Sequence, residues 1–442
     1  MRDCGPGRAA GGGVGPVGPE DRVAGGGPEA QEEFSREGDE GLRRRIEATL
    51  ESQGGVLFAL PALVGRAMYT GRDILAKNSR SEPGYLDARG YATVEWWIMS
   101  RVPAANERPL AHEGISRLCL CDGSTVLLTE AARVTAERLF GRWLALWPLA
   151  KILDIGGDPV RPDFGPFGEG PAEPEVPPIP VHVHAGEVMG GRLRPPGKLE
   201  SYFFPPVDVP PYRRELAPAV TRLGLKPRTR PEQVIAALRE FGCSDAMYAL
   251  SEVYPIRPYE GWLVPPRTLH APGPWPTLEL QLPQDDFQLA SWKLGERLAP
   301  DERSRLREAL MLRGLRDEED FLEQAVDWEV CTAPDFAERF RREAKVIESG
   351  AWGRRLQIFF APFYGEALEL RPGGRYVRPP GCEPWAGVVW SGQGLLGRFR
   401  ISAEPGVGYR EFLVTPGAEA ELVADGPEGL HVYALFPMRP AG

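Results

Sequence analysis

The feature that most constrains the fold is a succession of short β-type segments separated by glycine and proline. Apolar and β-branched runs occur at 181–184, 199–204, 262–264 and 277–282, and the same pattern returns over 356–437. The chain is rich in turn-forming residues, with 52 Gly and 46 Pro among its 442 residues. Short strands with turns at regular spacing are typical of antiparallel sandwiches and barrels. We therefore predict a mainly β protein with two small β-barrels and appended helices.

Apolar residues at helical spacing divide this β pattern into domains. We predict helices at 38–52 and 129–139, a helical insert at about 229–241, and two or three helices within 301–350. Residues 1–28 contain ten Gly and four Pro, which favours disorder. The predicted division is a disordered tail at 1–36, a domain with the helical insert at 37–300, a helical connector at 301–350 and a second barrel at 351–442.

The charge balance limits the class of partner. The formal net charge is −10, with 52 Lys and Arg against 62 Asp and Glu, so nucleic acid and anionic membrane are not expected as main partners. The sequence has no run of 18 apolar residues, so no membrane span is predicted, and no secretory signal is visible. Six cysteines are too sparse for a disulfide framework. A cytoplasmic location is the default expectation.

Three of the five histidines fall within the predicted strands and turns of the first barrel. His182 and His184 are two residues apart on a strand, so both side chains point to the same face. Glu200 opens a nearby strand, and His270 follows a Pro-Pro turn. Three imidazoles and one carboxylate can bind a divalent metal and leave coordination positions open for catalysis. The alternative interpretation of His182 and His184 is a polar pair on a strand with no metal.

These residues and their order resemble the cupin superfamily and, more closely, the type I mannose-6-phosphate isomerase family. The resemblance covers about 90–300 well and 355–442 only as a degraded second barrel. The matching segments are Trp147–Asp154, Gly197–Glu200, Leu225–Glu232, Gly261–His270 and Leu278–Gln281. It implies two cupin-type (jelly-roll) barrels, of which the second is degenerate and metal-free.

The resemblance also implies a function and roles for individual residues. The expected activity is aldose–ketose isomerisation of a small-molecule sugar or sugar phosphate. One divalent metal, zinc in that family, would be bound by the four side chains His182, His184, Glu200 and His270. Lys198, Glu279 and Lys151 match residues of that family's active site and are the predicted catalytic residues. Each has a structural alternative: a solvated lysine for Lys198 and Lys151, and a supporting carboxylate for Glu279.

Two departures from the family pattern widen the alternatives. His182 replaces a glutamine ligand, and a three-histidine, one-glutamate set accommodates Fe, Mn, Ni or Co as well as Zn. Leu289 occupies the position of an arginine implicated in catalysis, and Arg192, Arg194 and Arg267 are candidates to replace it. The alternative functions are therefore another metal cupin enzyme of the oxygenase type and a non-catalytic carbohydrate-binding cupin. The sequence leaves the oligomeric state open.

Overall fold

A computed structural model describes residues 28–67, 87, 89–153, 179–207, 220–273 and 275–439, with the backbone alone for 28–37. Most of the predicted disordered tail lies outside these residues. The described chain begins with helix α1 (Pro28–Ser52). The helix includes residues 28–36, which the sequence pattern assigned to the tail. The predicted helix at 38–52 is the second half of α1.

The remaining helices are short and lie between or beside the strands. They are α2 (Leu128–Phe140), α3 (Pro231–Arg239), α4 (Ala246–Leu250), α5 (Pro300–Leu306), α6 (Glu318–Ala325), α7 (Trp328–Cys331) and α8 (Phe336–Phe340). A 3-10 helix spans Gly141–Leu146, and a π-helical segment, Arg307–Met311, continues α5. Among the described residues, no helix has the length and apolar character needed to span a membrane.

The predicted connector at 301–350 is helical only as far as Phe340. Two strands follow, β17 (Arg341–Glu343) and β18 (Lys345–Gly350), in a segment that the sequence pattern assigned to the helical connector. β17 pairs with the distant β13, and β18 forms a hairpin with β19, the next strand of the chain. Strand pairing therefore overrides the local helical propensity of this charged segment.

Twenty-six strands carry most of the described structure. The first ten are β1 (Val56–Leu60), β2 (Ala62–Arg66), β3 (Ala92–Ile98), β4 (Arg117–Cys119), β5 (Thr125–Leu127), β6 (Leu149–Leu153), β7 (His182–Val183), β8 (Glu187–Met189), β9 (Arg192–Arg194) and β10 (Glu200–Phe203). Before β17 come β11 (Val220–Leu225), β12 (Ser251–Pro255), β13 (Glu260–Val264), β14 (His270–Ala271), β15 (Thr277–Gln281) and β16 (Gln288–Leu289). After β18 come β19 (Gly353–Phe359), β20 (Gly365–Leu370), β21 (Arg375–Arg378), β22 (Trp385–Leu396), β23 (Phe399–Ser402), β24 (Glu411–Val414), β25 (Ala420–Ala424) and β26 (Leu430–Leu435).

The strands form three large sheets. We call the seven-stranded sheet, in the order β17-β13-β10-β15-β6-β3-β2, the site sheet. The five-stranded sheet, in the order β12-β11-β14-β7-β16, is the histidine sheet. The twelve-stranded sheet, built around β19, β20, β26, β22 and β24, is the C-terminal sheet. The named pairings in all three are antiparallel, so the prediction of a mainly β fold with appended helices is confirmed.

Alternation along the strands separates polar from apolar faces. In β6 and β15 of the site sheet, Ile152, Leu278 and Leu280 are fully buried in an apolar core that also contains Phe359 and Tyr433 of the C-terminal sheet. A second core covers the histidine sheet, where Val181 and Val183 pack with residues of α3 to α7. Each of these two sheets thus has one face covered by an apolar layer. Its other face carries the polar residues of the site.

The first strand of the chain does not belong to the site sheet. β1 pairs with β24, with Val56 opposite Val414, and also with β4. The N-terminal segment thereby contributes β1, β4 and β5 to the C-terminal sheet, and the predicted boundaries at 300 and 350 do not separate the two halves of the structure.

A buried carboxylate joins β3 of the site sheet to β24. Glu411 is fully buried, and it accepts hydrogen bonds from the Met99 backbone N–H (2.6 Å) and the Trp96 indole (2.8 Å). Burial raises the pKa of Glu411 to about 7. A buried neutral acid is therefore part of the contact between the two sheets.

This carboxylate predicts a pH dependence of stability. The folded-state pKa lies above the ordinary value of 4.5, so its contribution is complete below that value and is lost as the pH rises through about 7. We expect Glu411 to reduce the free energy of unfolding by roughly 3 kcal/mol between pH 4.5 and 8. Urea unfolding of the native chain and of Glu411→Gln at both pH values measures the difference. The prediction would be contradicted if the free energies of unfolding of the two proteins differed by the same amount at both pH values.

Candidate metal centre

Three imidazoles converge between the site sheet and the histidine sheet. His182 on β7 lies directly opposite His270 on β14 in the antiparallel register. His184 follows β7, on the same side as His182. One ring nitrogen of each histidine lies within 4.8 Å of those of the other two, and all three residues are buried. The structure thus brings together the three histidines that the sequence singled out, and they can hold a metal ion.

Backbone carbonyls fix the orientation of each ring. The Nδ1 atoms of His182 and His270 lie 2.9 and 2.8 Å from the carbonyl oxygens of Pro180 and Thr268. The Nδ1 atom of His184 contacts the carbonyl oxygen of Asp286. Each Nδ1 carries the proton in this arrangement because a carbonyl can only accept. The Nε2 lone pairs are then available as metal ligands.

Burial keeps the imidazoles of His182 and His184 neutral. It lowers the pKa of His182 well below the ordinary range and the pKa of His184 to about 4, with the nearby charge of Lys198 adding to the effect at His184. A metal binds the neutral form of imidazole. At neutral pH the two histidines therefore need lose no proton before binding a cation.

Glu200 faces the histidines from the opposite sheet. Its carboxylate oxygens lie 3.0 Å from His270 Nε2 and 3.2 Å from His184 Nε2. Burial alone would raise the pKa of Glu200, but neighbouring groups, the Lys198 ammonium among them, hold it well below the ordinary range. The Tyr202 hydroxyl donates a hydrogen bond to the same carboxylate, and the Lys198 ammonium lies 3.2 Å from it.

These contacts fit a bound cation. The Nε2 atoms of His184 and His270 are buried and have no hydrogen-bond partner among the described residues. Each faces an oxygen of Glu200, so lone pairs confront lone pairs at about 3 Å. Adjacent ligands around a metal with bonds of about 2.1 Å are also about 3 Å apart in octahedral geometry. The contacts of Glu200 with His184 and His270 are therefore compatible with a cation bound between them.

Gly197 allows the strand that carries Glu200 to approach His184. A Cβ atom at residue 197 would lie 1.9 Å from the His184 carbonyl oxygen, which is far inside van der Waals contact. Only glycine fits this close approach of two backbones. The glycine of the Gly197–Glu200 motif thus has a positional role in assembling the site.

The predicted catalytic residues lie on the same face of the site sheet. In the strand register, Glu279 is directly opposite Tyr202 on one side and Lys151 on the other. Lys198 lies just before β10, 3.7 Å from Glu279 Oε1, and it donates a hydrogen bond to Gln281 Oε1 (2.6 Å). All three predicted residues are buried. Lys198 and Lys151 are therefore not the solvated lysines of the alternative interpretation.

Glu279 and Lys198 differ in protonation. Burial, and then the negative charge of Glu200, raise the pKa of Glu279 to about 7. Burial alone would lower the pKa of Lys198, but Glu200 and Glu279 more than offset it and raise that pKa above the ordinary range. The geometry thus places a fixed cation beside a carboxyl group that can exchange a proton near neutral pH.

A buried ionic cluster beside the centre was not predicted from the sequence. Arg66 on β2 donates hydrogen bonds to Glu95 Oε1 (2.8 Å) and to both oxygens of Asp285 (3.0 Å each). Lys151 Nζ lies 3.5 Å from each of the same two acids. All four side chains are at most 4% exposed. Two cations therefore neutralise two carboxylates at the edge of the metal centre.

The arginine candidates named from the sequence are not in this cluster. Arg192 and Arg194 are exposed on the β8–β9 hairpin. Arg267 donates to the backbone oxygens of Glu323 and Val326. Leu289 is fully buried in the apolar core over the histidine sheet. The arginine that does line the metal cavity, among the described residues, is Arg66.

We call the space in front of these side chains the metal cavity. It is lined by His182 and His184, by the polar face of the site sheet and by the 285–287 segment. Its volume of about 30 Å³ corresponds to two or three waters. The cavity is a narrow polar space in which a small group can reach the predicted metal ligands.

The hydrogen bond from Tyr202 predicts a measurable effect on metal binding. Tyr202→Phe removes a donor that holds the Glu200 carboxylate while keeping the aromatic ring. We expect the affinity for a divalent metal to fall about 10-fold, in the range found when partners of metal ligands are removed. Competition with a chromophoric chelator measures this change, and Tyr254→Phe, remote from the cavity, is the control. An unchanged affinity would show that Glu200 does not need this partner.

Comparison with known proteins supports the fold. No family model matches the sequence, and no curated protein matches it either. Mannose 6-phosphate isomerase from Bacillus subtilis is 16% identical with a TM-score of 0.54 over 86% of this chain and 99% of that chain. A putative mannosephosphate isomerase from Archaeoglobus fulgidus is 13% identical, with a TM-score of 0.51 over 87% and 97%. A variant of phosphomannose isomerase from Salmonella typhimurium is 12% identical, with a TM-score of 0.53 over 87% and 100%. The chain therefore has the cupin-type fold of these isomerases, which confirms the predicted structural resemblance.

Proposed function

We propose that this protein is a metal-dependent aldose–ketose isomerase that acts on a sugar or a sugar phosphate. The observation that carries the proposal is the position of Glu279. A carboxyl group with a pKa of about 7 lies on the sheet face that also presents Glu200 and Tyr202 to three converging imidazoles. Isomerisation needs a group that removes a proton from one carbon and returns it to the next. The shared fold with the mannose-phosphate isomerases is consistent with this chemistry but does not establish it.

His182, His184, Glu200 and His270 would hold the metal in this proposal. A divalent cation bound there would supply Lewis-acid stabilisation of negative charge on the substrate oxygens. Zinc is our first candidate, and the three-histidine, one-glutamate set also suits Fe, Mn, Ni or Co. The four side chains contribute a buried, preorganised set of donors, and Tyr202 restrains the carboxylate.

The roles of the other residues follow from their positions. Glu279 would transfer the proton between the two carbons, because its carboxyl group is buried and its Oε1 has no hydrogen-bond partner among the described residues. Lys198 stays protonated and would donate hydrogen bonds to substrate oxygen rather than act as a base. Lys151, held between Glu95 and Asp285, would position the far side of the substrate.

A turnover assay tests the proposal. The purified chain is stripped of metal and reconstituted separately with Zn²⁺, Mn²⁺, Co²⁺, Ni²⁺ and Fe²⁺. Each form is incubated with aldohexoses, aldopentoses and their phosphates, and ketose formation is followed by chromatography. We expect interconversion with at least one metal and none in the metal-free protein. No interconversion of any sugar, with a metal shown to be bound, would overturn the isomerase proposal.

The same preparation separates the two alternative functions. The set of three histidines and one glutamate also favours an oxygenase-type cupin, for which bound iron and substrate-dependent oxygen uptake would be the result. Saturable sugar binding without turnover or oxygen uptake would indicate a carbohydrate-binding protein.

A further inference from the structure

A second cavity lies beside the metal cavity. Its volume is about 230 Å³, against about 30 Å³ for the metal cavity. A whole sugar with a substituent does not fit into a space for two or three waters. Only the reacting end of a substrate can lie beside the predicted metal ligands, and the remainder must extend into adjacent space.

The two cavities adjoin at a shared residue and are linked by hydrogen bonds between their walls. Phe287 lines both of them. Arg66 lines the metal cavity and donates a hydrogen bond to Asn106 Oδ1 (3.2 Å), which lines the second cavity. Asp285 accepts a hydrogen bond from the backbone N–H of Ala105 (2.7 Å), which also lines the second cavity. The second cavity is therefore the immediate neighbour of the reacting centre.

The walls of the second cavity are mostly apolar. Tyr91, Leu306 and Leu310 are at most 7% exposed and line it together with Phe287. Leu310 belongs to the π-helical segment, which packs against β16 of the histidine sheet. π-Helical turns are rare and occur frequently at functional sites. An apolar pocket with this backbone irregularity next to a polar centre has the character of a ligand site.

The charges of the metal cavity do not favour a phosphate. Arg66 and Lys151 are neutralised by Glu95 and Asp285, and Lys198 is paired with Glu200. A phosphate dianion would have to displace buried carboxylates from these cations. The second cavity has one positively charged side chain among the described residues of its wall, that of the half-buried Arg313.

We infer that the second cavity binds an apolar, uncharged group at the non-reacting end of the substrate. The inference rests on the proposed function, because it assumes that the reacting end lies at the histidines. The substrate class is then a sugar that carries an alkyl or aryl substituent distant from its carbonyl carbon. Phe287, Leu306 and Leu310 would contact that substituent, and burying it supplies affinity in proportion to its apolar area.

Binding measurements on the metal-loaded full chain test the inference. The probes are D-mannose, 6-O-benzyl-D-mannose and D-mannose 6-phosphate, titrated by calorimetry. We expect the benzyl ether to bind at least about 10-fold more tightly than mannose. Ala309→Phe, which fills the cavity from the π-helical segment, should remove that advantage. Glu308→Phe places the same ring on a neighbouring residue that is 69% exposed and should leave it intact.

Further measurements separate this inference from the proposed function. Fluorine NMR of 4-fluorobenzyl alcohol reports on binding in the second cavity without any sugar. If Ala309→Phe does not fold, Ala105→Phe is a second variant that narrows the same cavity from another lining residue. Tighter binding of the 6-phosphate, or an advantage of the benzyl ether that survives both cavity variants, would overturn the inference even if the protein isomerises sugars. Binding of the alcohol to the native chain and its loss in the cavity variants, without turnover of any sugar, would support the apolar cavity and overturn the isomerase.

Discussion

Replacing His184 with alanine is expected to weaken the binding of a divalent metal by at least about 100-fold. Removing the partner of a metal ligand commonly costs 10- to 100-fold in affinity, so removing a ligand should cost more. His184 is 4% exposed, and its Nε2 faces Glu200 at 3.2 Å without a hydrogen bond. The loss of this imidazole leaves His182, His270 and Glu200 as donors. Elemental analysis by mass spectrometry and chelator competition measure metal content and affinity.

A matched histidine outside the site controls this experiment. His112 is exposed in a turn and does not line the metal cavity, and His112→Asn should keep the metal content of the native protein. Far-ultraviolet circular dichroism establishes that His184→Ala still folds. Native metal content and affinity in folded His184→Ala would mean that the three imidazoles are a buried polar cluster and not a metal centre.

Replacing Glu279 with glutamine is expected to reduce kcat by 10²- to 10⁴-fold. Glutamine has nearly the same shape but cannot take up or release the proton, and general acid–base groups contribute about this factor. KM and metal content should change little because Glu279 is not among the predicted ligands. Steady-state kinetics on the best substrate of the sugar panel, together with metal analysis, measures all three quantities.

Glu260→Gln is the control for this substitution. Glu260 is also a buried glutamate in the site sheet, and burial raises its pKa as well, but it does not line the metal cavity. Its replacement should leave kcat within a factor of two or three. Glu279→Gln with native kcat would assign the proton transfer to a different group, and Lys198→Met would then be the next variant to measure.

The sequence was most informative where the strand period alone determines geometry. Residues two apart on a strand share a face, which was sufficient to place His182 with His184. The same rule, applied to Glu200, would have found Tyr202, which lies two residues later and donates to that carboxylate. The ligand set could therefore be predicted as a group, although its exact distances depend on how the two sheets pack.

The ionic cluster could not be predicted because its partners are far apart in the chain. Arg66 contacts Glu95 and Asp285, which are 29 and 219 residues away. No sequence pattern had identified β2, so nothing marked Arg66 as buried. An arginine without a local acid partner is normally assigned to the surface, and only the tertiary pairing of β2 with β3 brings it into the site.

The placement of β1 in the C-terminal sheet has a consequence for the order in which the protein forms. Val56 pairs with Val414, so this strand emerges from the ribosome some 350 residues before its partner β24, roughly 20 to 70 s at ordinary rates of synthesis. During that interval one edge of β1 has no partner, and exposed strand edges promote aggregation. Pairings of such high sequence separation also slow folding in a test tube. A chain that ends before β24 should therefore be recovered mainly as insoluble protein, even though every predicted metal ligand is present in it.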